Sequence, residues 1–146
     1  MYESNKINRR DFLKYLGADI IGLVLLNPKL YGDQVTKDPA LLKSFTEIYK
    51  KYSKSITKKE GYELNLDVNG DGREDKVKFT LENGSILYET EPIVGKKFRI
   101  DLNITGKPGT TSLMGIIEGD RAIVLKTQWA QDSEVPKYLD ALIKGK

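Results

Sequence analysis

The chain has no cysteine, no histidine and a single tryptophan. Without cysteine no disulfide can staple the fold, so a hydrophobic core, with or without a metal, must hold it. Without histidine the commonest general base is missing, and Ser–His–Asp and Cys–His catalysis are excluded within the chain. Zinc, iron–sulfur and c-type haem sites lose their usual ligands as well. A strong charge of one sign is also lacking: 24 basic residues face 21 acidic ones, a formal net charge of +3. A nucleic-acid binder normally concentrates a basic excess on one face, so no nucleic-acid role is expected. The same balance argues against an electrostatic membrane-surface module. Internal repeats and low-complexity tracts are absent too, and 146 residues fit one modest domain.

What is present begins with Asn8-Arg9-Arg10-Asp11-Phe12-Leu13-Lys14, followed by an apolar run from Tyr15 to Leu26 interrupted by Asp19. The run is about twelve residues long, too short to span about 30 Å of hydrocarbon as a helix but suited to a signal sequence. The segment resembles a twin-arginine translocation signal, whose pattern is S/T-R-R-x-F-L-K, with Asn8 in place of Ser or Thr. That resemblance implies passage through the twin-arginine translocase in a folded state, to a periplasmic, extracellular or membrane-anchored location. Residues 1–32 are therefore expected to be a signal or anchor segment. Cleavage would fall near Gly32, although no A-x-A precedes it; otherwise the segment stays as an anchor. Residues 33–146 are expected to form a single α+β domain. Residues 1–32 hold five basic and three acidic residues, which leaves the remainder near neutrality.

In that domain Asp33 to Asp38 reads as a polar linker. Asp38 is a plausible N-cap, with Pro39 at the first helical position. Leu41, Leu42, Phe45, Ile48, Tyr49 and Tyr52 then form one apolar helical stripe, with Lys43, Lys50, Lys51 and Lys54 largely off it. Period-two alternation marks strands at Tyr62–Leu66, around Val77–Leu81 and at Phe98–Ile104. Asn83-Gly84 predicts a two-residue hairpin turn that would set Leu81 against Ile86 and Phe79 against Tyr88. Gly119-Asp120 predicts a second hairpin, pairing Ile117 with Ala122, Ile116 with Ile123 and Glu118 with Arg121. Asp132 or Ser133 can cap a short C-terminal helix bearing Tyr138, Leu139, Leu142 and Ile143. The expected architecture is an antiparallel β-sheet of about five or six strands, with a long N-terminal helix packed on it and a short C-terminal helix.

The one chemically loaded segment is Asp67-Val68-Asn69-Gly70-Asp71-Gly72-Arg73-Glu74-Asp75, between two strands. Side-chain oxygens recur at loop positions 1, 3, 5 and 9, as Asp67, Asn69, Asp71 and Asp75, and the Arg73 carbonyl can add another. Gly72 at position 6 permits a sharp turn. Calcium takes six to eight hard oxygen ligands in flexible geometry, and such a loop supplies most of them. The loop is similar to that of an EF-hand, but Lys78 stands where that motif has its last Glu. D-x-N-x-D-G-x-x-D without that Glu resembles the loops of FG-GAP repeats, which also join two strands. A propeller needs several repeats and only one is here, so neither a propeller nor integrin-like binding is implied. The alternative is a plain Asp/Asn/Gly turn.

Other candidates are weaker. Glu63, Glu82, Glu89, Glu91, Asp101 and Asp120 offer carboxylates for glycoside hydrolysis, but no motif selects a pair. The run from Gly106 to Ser112 lacks the spacing of a phosphate loop. Trp129 and the tyrosines can stack on sugars or a partner, although packing explains most of them. The expected function is an exported, calcium-stabilised, non-catalytic binding or structural module with a macromolecular partner in the envelope or outside the cell. An accessory subunit co-exported with a twin-arginine enzyme is the first alternative, and a small carboxylate- or metal-dependent hydrolase the second.

Overall fold

The computed structural model describes residues 33–56 and 61–145. The segment read as an export signal lies outside the described residues. The elements run β1 (Asp33–Thr36), α1 (Pro39–Ile56), β2 (Tyr62–Leu66), β3 (Asp75–Tyr88), β4 (Glu91–Asn103), β5 (Thr111–Glu118), β6 (Arg121–Gln128) and α2 (Val135–Lys144). All the pairings are antiparallel and the strand order is β1-β6-β5-β4-β3-β2. Strands β2 to β6 are thus a meander, which β1 completes at the β6 edge. The expected α+β class holds, as a six-stranded antiparallel sheet with two helices among the described residues.

Helix α1 starts as its local chemistry dictates. The Asp38 carboxylate accepts the Ala40 N–H at 3.0 Å, and Pro39 fills the first turn, where no N–H is needed. Its stripe docks on one sheet face. Phe45 and Ile48 are fully buried, and the Tyr52 ring lies 4.3 Å from that of Phe79 at an interplanar angle of 18°. Phe45 rests directly on Gly115 of β5, whose missing side chain makes room for the ring. Helix α2 closes the layer against α1, where the Tyr52 hydroxyl donates to the Leu142 carbonyl at 3.0 Å.

Three expectations are corrected. Asn83-Gly84 is not a turn: β3 runs on to Tyr88, and the chain reverses at Glu89-Thr90, with Glu89 at φ 61°. Gly84 instead faces Gly95 across the ladder, and a Cβ on Gly95 would stand 2.9 Å from an Ile116 methyl. The glycine pair serves close strand packing, so Leu81 faces Phe98 and Phe79 faces Ile100. The second hairpin does pair Ile117 with Ala122 and Glu118 with Arg121. A bulge then carries Ile116 onto Val124 rather than Ile123. The polar linker is strand β1, with Val35 opposite Lys126.

The second sheet face has its own small core of Ile86, Met114, Ile116 and Val124, against which Val35, Tyr88 and Ile93 pack. Tyr88 comes from the β3–β4 tip and Val35 from the opposite edge strand. The Lys37 ammonium lies 4.7 Å from the centre of the Tyr88 ring, so the long hairpin curls across this face toward the β1 edge.

Candidate functional site

In a meander, alternate connections emerge at the same end. Here the β2–β3 loop, the β4–β5 loop and the segment after β6 come together. The acidic turn, Gly106 to Thr110 and Trp129 to Glu134 therefore gather at one end of the sheet, although the sequence separates them widely.

The acidic turn is wound around Asp67. One carboxylate oxygen accepts the N–H groups of Asn69, Gly70 and Asp71 at 3.3, 2.8 and 3.3 Å, and the other accepts that of Gly72 at 2.8 Å. Gly70 and Gly72 take φ values of 80° and 87°, which a side chain would strain. The Asn69 side-chain oxygen accepts the Asp71 N–H at 3.3 Å. Asp71 accepts the Arg73 N–H at 2.9 Å and holds its guanidinium at 3.1 Å. These bonds to Arg73, the backbone one foremost, lower the Asp71 carboxyl below its ordinary range. Asp75 is buried beneath the turn, where one oxygen accepts the Val68 N–H at 3.0 Å and the other the Thr105 N–H at 2.8 Å. The five residues singled out for calcium thus lie in the turn or, for Asp75, at the start of β3 beneath it, but the side-chain oxygens of Asp67, Asn69, Asp71 and Asp75 already accept hydrogen bonds. Among the described residues no cluster of three His, Cys, Asp or Glu side chains is placed to hold a metal ion.

Packing does not account for Trp129. It is 52% exposed, and its φ of 64° lies in the left-handed region. For a bulky residue such a backbone costs about 1–3 kcal/mol and persists only where neighbours enforce it. Two contacts do so: the Thr111 hydroxyl donates to the Trp129 carbonyl at 3.4 Å, and Gln34 of β1 donates to that of Ala130 at 2.9 Å. The indole borders an open cavity of about 390 Å³ shared with Pro108, Gln131, Lys107 and Glu134. A second cavity of about 400 Å³ adjoins it, also touched by Lys107 and Glu134 and lined further by Asp71, Arg73, Lys137 and Tyr138. The Lys107–Glu134 ion pair, at 3.7 Å, lies where the two meet. The result is one groove with an aromatic end and a charged end. Burial, reinforced by the charge of Glu134, pushes the Tyr138 hydroxyl up to about 12.

Sequence reasoning found the acidic turn but not the groove. Its signal was the lone tryptophan next to Pro- and Gly-rich connections, which becomes visible only when the topology brings those connections together. No family model, curated protein or solved structure matches the chain.

Proposed function

We propose that this protein is a non-catalytic binding module that works outside the cytoplasm. The observation that carries the reading is Trp129, a large aromatic held exposed at a strained backbone position beside an open groove. Strain that neighbours enforce is concentrated at functional sites, and an exposed indole next to polar groups is a recognition surface. The charged groups along the groove support binding rather than catalysis, because Asp71 and Glu134 are each spent on a cation. Export rests on the Arg9-Arg10 motif and the apolar run behind it. The test of the binding reading is a titration of the full chain with peptides, neutral and charged sugars and lipid vesicles, read through its single tryptophan. A saturable emission change with any of them supports a binding module, and silence toward all of them overturns it.

In the same reading calcium completes the Asp67–Asp75 turn. Asp67 Oδ2, Asp71 Oδ1 and the two Asp75 oxygens each accept one N–H and keep lone-pair capacity beyond it, and the wound backbone supplies the curvature that an ion loop needs. The competing reading is a self-capped turn with no ion, favoured by the complete set of N–H partners around Asp67, Asp71 and Asp75. Melting with calcium and with chelator separates the two.

A further inference from the structure

Resting on the binding reading, we propose that the groove takes an acidic sugar chain, with one ring stacked on Trp129 and a neighbouring ring's carboxylate on Lys137.

Four observations point to this chemistry. The indole offers a flat apolar face, which suits the C–H face of a sugar ring. The groove continues past Trp129 through a second cavity, so it fits a chain of rings better than one small molecule, which would be enclosed. Gln131 and the Lys107–Glu134 pair border the stacking position and offer both donors and acceptors, as hydroxyl-rich rings require. At the far end the cations outnumber the anions. Arg73 is committed to Asp71 and Lys107 to Glu134, whereas Lys137 has no ion-pair partner among the described residues. One uncommitted cation matches a polymer with sparse carboxylates. A nucleic acid, with a phosphate on every unit, would call for a denser basic track and more aromatic platforms.

The protein carries its own reporter, since Trp129 is the only tryptophan. The full chain is titrated with an oligogalacturonate, with the same oligomer reduced at its carboxyls to a neutral form, with a proline-rich peptide and with phosphatidylglycerol vesicles. The acidic oligomer should shift Trp129 emission saturably and bind several-fold tighter than its neutral counterpart. Added salt should shrink that preference, because the groove is open to solvent. Lys137→Ala should remove most of the preference, about fivefold. Trp129→Gly, followed by calorimetry, should weaken binding by more than about tenfold. The same variant should melt no lower than wild type, because glycine relieves the left-handed strain. A purely structural tryptophan would give the opposite pair of results. Equal affinity for the neutral oligomer, or preference for the peptide or the vesicle, overturns the acidic-sugar assignment and leaves a binding module. No response to any probe overturns both.

Discussion

At Thr127 a hydroxyl sits in the core with no hydrogen-bond partner among the described residues, in a side chain only 3% exposed. Valine has nearly the same shape and brings nothing that needs a partner. Thr127→Val should therefore raise the unfolding free energy by about 1 kcal/mol in chemical denaturation. Asp75 is the converse case. Its two oxygens serve the N–H groups of Val68 and Thr105, and so tie the acidic turn to the loop that borders the groove. Asp75→Ala leaves both donors without their acceptor and should cost about 2–4 kcal/mol. Hydrogen exchange should locate the new mobility at Val68 and Thr105. A loss much smaller than this would mean that water replaces the carboxylate and that the junction of the two loops is soft. The same kind of accounting singles out Trp129, whose left-handed backbone is held by the Thr111 and Gln34 hydrogen bonds while the side chain stays half exposed.

Among the elements, the α1–sheet contact is the most exacting. The nearest Phe45 ring carbon stands only 2.3 Å from where a Gly115 Cβ would lie. Gly115→Ala should lower stability by about 1–3 kcal/mol through overpacking. Phe45→Ala should cost about 3–5 kcal/mol by leaving a cavity between helix and sheet. Thermal melts of both variants check the contact, and an unchanged midpoint for either would mean that the helix is not docked there. This helix was legible in the sequence because its signals are local: a cap, a proline and a periodic stripe. Asn83-Gly84 misled for the same reason. Its turn chemistry is local, but β3 is chosen by a long ladder to β4 and by the fit of Gly95 to Ile116, which lies on another strand. Strand β1 was hidden because its residues are mostly polar and its partner among the described strands is β6, some ninety residues further on. The acidic turn could be read as a turn because its Asp, Asn and Gly residues recur within nine positions. The groove could not, because three remote connections build it.

For the molecule as a whole, stability must follow the groups whose ionisation the fold resists. Burial raises Tyr138 from 10.0 to about 12 and also raises Tyr52, so the unfolded chain loses these protons at lower pH than the native one. Their contribution is fully present below about pH 10 and is lost as pH rises toward 12. Tyr138→Phe should flatten that alkaline decline in denaturation measured against pH. The proposed calcium ion would set the second dependence on conditions. The turn that Asp67 organises does not exist in the unfolded chain, so an ion held there favours the native state. At a calcium concentration about a hundredfold above Kd the gain would be about 2.7 kcal/mol. Asp71→Ala should abolish most of this calcium-dependent gain. Glu74→Ala should leave it intact, because residue 74 supplies none of the proposed ligands. Magnesium should substitute poorly, since it demands tighter octahedral geometry. The comparison is the difference in melting temperature between calcium and chelator for each protein, which cancels the hydrogen bonds that Asp71→Ala also removes. If wild type melts identically in both, the turn is held by its own N–H donors alone, and the binding reading stands on the Trp129 groove without an ion.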